Sequence, residues 1–410
     1  MEIDWTKRIL FGFQHALAMF GATVLVPYLT GLDISVALFT AGVGTLLFHL
    51  ITKRKVPVFL GSSFAFITPI LSVKAMYATP GDPDAGLPYA TGGMIVAGLV
   101  YALTAGLIKV FGPDVMKKLL PPVVVGPIII TIGLTLTPVA YDMAKDHWGV
   151  AIISMLTVAL VTVFGKGIYK SLPILLGVGT GYAASLLLKL VDVQPILDAG
   201  FLALPKFMGP KFSLDAITVI APIALVTMVE HLGDITTIGA TVEKDFIADP
   251  GLHRTLLGDG LATSLAGLLG GPSNTTYSEN TGVLAVTKVY DPSVLRVAGV
   301  IAILMSVLGK FGALVSTIPT PVMGGISIIL FGMIASVGMR VMVESRIDFS
   351  SGRNMLIAAF VLTIGMMSVL GDNNPAVIDL GFIELKGLSL ATIVGIILNL
   401  ILPEEKPESK

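Results

Sequence analysis

At 410 residues, 54% hydrophobic and only 13% charged, the chain is too apolar for a soluble protein, which carries roughly a quarter charged residues. Its net charge of −1 offers nothing to a nucleic acid, and the absence of cysteine excludes disulfides and thiolate metal sites. What remains is a polytopic membrane protein, with the lipid bilayer as its solvent.

The opening Met-Glu-Ile-Asp-Trp-Thr-Lys-Arg runs straight into a long apolar stretch without a small-residue cleavage site, so no removable signal peptide is expected. Apolar runs of about 20 residues then recur along the whole length. They mark fourteen segments, near 10–29, 34–52, 58–77, 91–111, 122–140, 149–165, 172–190, 214–235, 255–270, 271–289, 293–312, 319–338, 354–370 and 387–403. With the N-terminus in the cytoplasm, 19 of the 26 Lys and Arg residues, including Lys7, Arg8, Lys117, Lys118, Lys406 and Lys410, fall inside. That bias predicts both termini cytoplasmic, in the cytoplasmic membrane. Connections are short except 191–213 and the polar 239–254, which reads as a surface loop, and the tail 403–410 is expected to be disordered.

The chain repeats itself. Pro122-Val-Val-Val-Gly-Pro-Ile-Ile-Ile-Thr-Ile-Gly133 aligns without gaps on Pro321-Val-Met-Gly-Gly-Ile-Ser-Ile-Ile-Leu-Phe-Gly332, with six of twelve positions identical. These are the fifth and twelfth segments. Gln14-His15 in the first likewise faces Glu230-His231 in the eighth, and Gly61-Ser-Ser-Phe64 in the third faces Pro272-Ser-Asn-Thr-Thr276 in the tenth. Seven being odd, the halves have opposite orientation. This is the inverted repeat of a secondary transporter, whose site lies near the midplane at discontinuous helices.

The third and tenth segments are the discontinuous ones. In the tenth, Gly270 to Tyr277 carries helix breakers and short polar side chains, whereas Asn280 to Val289 reads as helix. Such a break is tolerated at membrane depth only inside protein or along a cavity, and it aims free N–H groups at whatever fills it. Glu279 stands there, a carboxylate beside free amides, suited to a small polar ring; the plain alternative is a kinked helix whose Glu is satisfied by a neighbour. In the eighth segment Glu230 and Asp234, four apart, share one helix face. Two such carboxylates do not both ionise easily, which makes the pair a proton carrier, unless Asp234 lies at the water interface. His15 is either a hydrogen-bonder across the repeat interface or a proton relay. Phe64 offers a backbone N–H and a ring face, or simply packs. His49 and Asp259 are expected near cytoplasmic ends, facing solvent. No phosphate loop, zinc-protease helix or nucleophile elbow is present, so neither a cofactor nor an enzyme is expected.

Glu279-Asn280-x-Gly282-x-x-x-x-Thr287-Lys288 resembles the signature of the nucleobase–ascorbate transporter family. Gln14-His15-x-x-Ala-Met-Phe-Gly-Ala-Thr-Val-Leu-Val-Pro27, Gly61-Ser-Ser-Phe-Ala-Phe66, Glu230-His231 and Pro321-Val-Met-Gly-Gly325 look like its bacterial uracil branch, and the resemblance covers nearly the whole chain. It implies an all-α protein of fourteen transmembrane segments in a 7+7 inverted repeat, with short strands in the broken third and tenth. It further implies a core domain (1–118 and 214–316), a gate domain (119–213 and 317–410) through which two copies dimerise, and uracil:proton symport. Carried over by position, Glu230 and Glu279 bind uracil, the amides of Phe64 and Ser278 face its carbonyls, and Glu230, Asp234 and His15 handle the proton. Xanthine or other purine transport, and anion exchange on a related architecture, are the alternatives. The chain departs from the branch at Asp234, where His is common, and at Ser278, where Gly is common. The first alters the proton route; the second keeps the amide and narrows the pocket.

Overall fold

A computed structural model describes residues 4–114, 120–370, 377–379 and 384–403. The expected domain boundary at 118–119, Lys117, Lys118 and the tail beyond 403, with Lys406 and Lys410, lie outside the described residues. Helix α1 (Trp5–Thr30) closes where Gly31 turns left-handed at φ 88°, and α2 (Ile34–Ile51) starts on Asp33, which accepts the Val36 N–H at 2.9 Å. The third segment is a strand, β1 (Leu60–Ser62), a 3-10 turn (Phe64–Phe66) and α3 (Ile67–Met76). Then come α4 (Leu87–Phe111), α5 (Pro122–Thr135), α6 (Thr137–Ala144), α7 (Trp148–Phe164) and α8 (Pro173–Leu187).

A short helix α9 (Gln194–Asp198) lies between the halves, and α10 (Leu214–Ile220) and α11 (Ile223–Val242) form the eighth segment, interrupted at Ala221-Pro222. After α12 (Leu252–Leu268) the tenth segment is again split, into β2 (Asn274–Thr276) and α13 (Ser278–Thr287). The chain finishes with α14 (Pro292–Ser306), α15 (Gly309–Ser316), α16 (Thr320–Glu344), α17 (Gly352–Leu370), strands β3 (Val377–Asp379) and β4 (Glu384–Lys386), and α18 (Gly387–Ile401). Among the described residues, six helical stretches are long and apolar enough to cross a membrane, and five shorter apolar helices accompany them.

The repeat is visible in how the helices cross. A Cβ added to Gly42 of α2 would stand 2.5 Å from the Gly299 carbonyl of α14, and one added to Gly98 of α4 would run into the Gly260 carbonyl of α12. The second and eleventh segments thus meet at paired glycines, as do the ninth and fourth, their equivalents seven segments away. The repeat-related α5 and α16 cross antiparallel and as closely. A Cβ on Gly338 would stand 2.5 Å from the Gly126 carbonyl, and one on Gly133 would stand 2.6 Å from the Ala335 nitrogen. Small residues at such crossings let backbones approach where lipid supplies no hydrophobic drive between helices.

Arg8 meets Asp291 at 3.6 Å, Lys55 pairs with Asp249, and Arg254 donates to the Ile51 carbonyl at 3.2 Å. The start of α1 and the ends of α2, α11 and α13 therefore share one face, called here the N-terminal face. Several boundaries differ from expectation, and two of them bear on the site. The eighth segment continues as helix to Val242, where Glu243 turns left-handed at φ 56°, so it takes in the start of the expected 239–254 loop. The ninth begins at Leu252 rather than 255, which moves its polar residues deeper.

Candidate functional site

Strands β1 and β2 pair antiparallel, Leu60 opposite Thr276, Gly61 opposite Thr275 and Ser62 opposite Asn274. Backbone that leaves the helix inside a membrane needs internal partners, and hydroxyl and amide side chains of the surrounding helices provide them. Thr45 Oγ1 of α2 accepts the Leu60 N–H at 2.9 Å, and Thr263 Oγ1 of α12 donates to the Asn274 carbonyl at 2.8 Å. Asn274 Nδ2 donates to the Thr40 carbonyl at 3.1 Å, Tyr277 Oη to the Ser62 carbonyl at 2.8 Å, and Ser62 Oγ to the Thr23 carbonyl at 2.9 Å. Gly61 is required: a Cβ there would stand 2.5 Å from the Tyr277 ring. The short polar residues that make the sequence a poor helix are the ones that hold the break open.

Two half-helices start at this strand pair, one through the turn at Phe64 and one at Ser278. The first N–H groups of a helix have no intrahelical partner, and its N-terminus is the positive end of the dipole. Phe64 is half-buried at its turn. Glu279, also half-buried, sits in the first turn of α13 and bonds its own backbone N–H.

Glu230 is exposed, while Thr227, Met228, His231 and Asp234 around it on α11 are buried. Glu279, Asp234 and Asp259 all lie within Coulombic range of it. The structure therefore brings the two predicted substrate carboxylates to one place. Asp234 has a different setting from Glu230: its Oδ2 accepts the Thr276 hydroxyl at 2.9 Å, away from the water interface. His15 is fully buried, its Nδ1 2.7 Å from Asn280 Oδ1, which joins α1 to the residue after Glu279.

Two expectations are corrected. His49 and Asp259 do not face solvent; both are completely buried. The segment after α2 folds back over His49, whose Nε2 lies 2.9 Å from the Val58 carbonyl. Asp259 stands seven residues into α12, about 10 Å below its start at 1.5 Å per residue, and its Oδ2 is 3.2 Å from His231 Nδ1. The same nitrogen is 3.4 Å from Thr276 Oγ1, so Asp259, His231, Thr276 and Asp234 form one buried polar chain behind Glu230. Sequence reasoning missed Asp259. Its signal was an acid in Leu-Gly-Asp-Gly-Leu within an apolar helix, hidden by a helix start placed three residues late.

From Glu230 the exposed positions of α11 continue as Gly233, Thr236, Thr237 and Ala240, and those of α13 as Gly282, Ala285 and Val286. Steps of three and four place each set on one helix stripe. A Cβ added at Gly233 or Gly282 meets nothing within 4 Å. These exposed stripes run along both helices from the carboxylates toward the N-terminal face. Among the described residues no group of three or more His, Asp or Glu is arranged to hold a metal. The site can accept hydrogen bonds through carboxylates, donate them through helix N-termini, and hold a proton on an acid.

A paired-strand break between opposed half-helices, with acids gathered beside it in a chain of apolar membrane-length helices, defines a membrane transporter. Residues 6–373 match the model of the permease family, and the chain belongs to that family, the nucleobase–ascorbate transporters. It is 45% identical over 411 residues to the probable uracil permease of Haemophilus influenzae, covering 98% of this chain and 96% of the relative. It is also 45% identical to the uracil permease of Bacillus caldolyticus, covering 96% and 92%. Among solved structures, the transmembrane domain of a cyanobacterium bicarbonate transporter, BicA, superposes with a TM-score of 0.62 at 14% identity over 98% of both chains, a likeness of fold alone.

Proposed function

We propose that this permease imports uracil together with a proton across the cytoplasmic membrane, by alternating access. The observation that carries the reading is the exposed Glu230 within Coulombic range of Glu279, beside the paired-strand break and among buried Thr227, His231 and Asp234. Uracil presents two ring N–H donors and two carbonyl acceptors. Two carboxylates and the N–H groups of Phe64 and Ser278 complement all four, and a buried donor left unpaired costs about 1–3 kcal/mol, which selects for this ring. The identity with named uracil permeases supports the substrate.

In this reading Glu230 is the proton-coupled acid, Asp234 sets its charge environment, and His15 holds Asn280 in register next to Glu279. The core domain (1–118 and 214–316) moves against the gate domain (119–213 and 317–410), which also carries the dimer surface, and both termini are cytoplasmic. An anion substrate is disfavoured by the acids at the site despite the bicarbonate-transporter fold. The test is uptake of labelled uracil into proteoliposomes, with and without an imposed pH gradient and with xanthine as competitor. Accumulation that follows the gradient and ignores xanthine is expected. Uptake of xanthine in place of uracil, or indifference to the gradient, would replace this reading.

A further inference from the structure

The connection between the halves has the construction of a membrane-seated element rather than of a loop in water. Helix α8 has 15 residues, about 22 Å at 1.5 Å per residue, against a hydrocarbon core of about 30 Å. The chain that follows continues its apolar exposure instead of ending it. Leu187 and Leu204 are each 85% exposed and Phe201 72%, and Leu197, Phe207 and Phe212 are exposed as well. Exposed Lys189, Lys206 and Lys211 punctuate them, and the Lys211 ammonium lies 5.6 Å from the centre of the Tyr89 ring.

The backbone of this stretch is tied to its neighbours at several points. Ala203 N–H donates to the Val307 carbonyl and Gly309 N–H to the Phe201 carbonyl, both at 3.0 Å, a bridge that sets Leu202 opposite Leu308. Lys211 N–H donates to the Pro88 carbonyl at 2.8 Å, and Lys310 Nζ caps the carbonyls of Ile196 and Leu197 at 2.8 and 3.0 Å. The contact is close: a Cβ on Gly309 would run into the Gly200 carbonyl. A solvated loop hides its leucines; this one is anchored through its backbone at 203, 208 and 211 while Leu197, Phe201, Leu204, Phe207 and Phe212 face outward. Phe and Leu interleaved with Lys are the composition of elements that lie in the plane of the bilayer interface.

We propose that residues 187–212 form a strap seated in the membrane interface, its partner the lipid of the leaflet opposite the N-terminal face. The side is given by a cavity of about 710 Å³ that Ala203, Leu204, Lys206 and Met208 border together with Gly31 and Asp33, the turn at the far end of α1. Through its bridge to 307–309, the strap joins the two connections that enter and leave the second half's first four segments, so both ride on the same lipid surface.

The chain has no cysteine, so single labels can be placed without background. Phe201→Cys, Leu204→Cys and, as a reference on an exposed polar turn, Asp146→Cys would each carry a nitroxide in the full-length protein reconstituted into phosphatidylethanolamine and phosphatidylglycerol vesicles. The expected result is a higher ratio of oxygen to nickel-chelate collisions at 201 and 204 than at 146. Equal ratios at all three positions would make the segment a loop in water. Labels at 201 and 204 that are immobile and shielded from both reagents would mean a second copy of the chain covers the strap. Either result overturns the proposal.

Discussion

Thr276 donates its hydroxyl to the Asp234 carboxylate across 2.9 Å, and this bond ties strand β2 to the helix that carries Glu230. Thr276→Val keeps the β-branched shape and removes the donor. Loss of a hydrogen bond to a buried acid costs about 1–3 kcal/mol, so the variant should melt at a lower temperature in detergent, and Thr276→Ser should recover most of the loss. Unchanged melting of the valine variant would show that the strand is held without this bond.

Glu279→Gln exchanges an acceptor-only group for one that both donates and accepts. Uracil affinity should fall at least about tenfold, the equivalent of about 1.4 kcal/mol, in a direct binding measurement on purified protein. Retained affinity would move the substrate away from the start of α13.

Ser278→Gly should bind uracil as the unsubstituted protein does, because the proposed contact is the backbone N–H at the first position of α13. Lost binding in the same measurement would make the hydroxyl a ligand and end the carry-over at this position.

Glu230→Gln imitates a permanently protonated acid. The carrier needs that proton to leave before it resets empty, so the variant should exchange labelled uracil across a vesicle membrane yet fail to concentrate it against a gradient. Counterflow and pH-driven uptake on the same vesicles separate the two activities. A variant that still concentrates uracil in response to a pH gradient would shift the proton to Glu279 or to the Asp234 and Asp259 chain behind it.

Two glycines make a matched pair of tests. A Cβ on Gly98 would run into the Gly260 carbonyl, a backbone atom that cannot rotate away, whereas one on Gly282 meets nothing within 4 Å. Gly98→Ala should destabilise by about 1–3 kcal/mol, the usual cost of overpacking, and lower the folded yield. Gly282→Ala should leave folded yield unchanged by size-exclusion profile. A tolerated Gly98→Ala would mean that α4 and α12 separate more easily than their crossing implies.

Much of the architecture was legible in the chain because it is written in local chemistry. Apolar runs demand helices, and Gly-Ser-Ser at 61–63 and Pro-Ser-Asn-Thr-Thr at 272–276 forbid them, so the two breaks and their importance could be read residue by residue. The repeat could be read from Pro122–Gly133 and Pro321–Gly332, where packing demands the same small residues twice. Glu230 and Glu279 stood out because a carboxylate in an apolar run has no cheap explanation. What the chain alone left undecided concerns residues brought together from distant segments. Whether Asp234 faced water or protein depended on Thr276, 42 positions away, reaching it. Asp259 looked like a surface acid until His231 of another helix was found against it, since a shift of three residues at a helix start changes depth without changing composition. The glycine pairs 42 with 299 and 98 with 260 are likewise silent in sequence: a glycine records that something comes close, and only the folded chain says what.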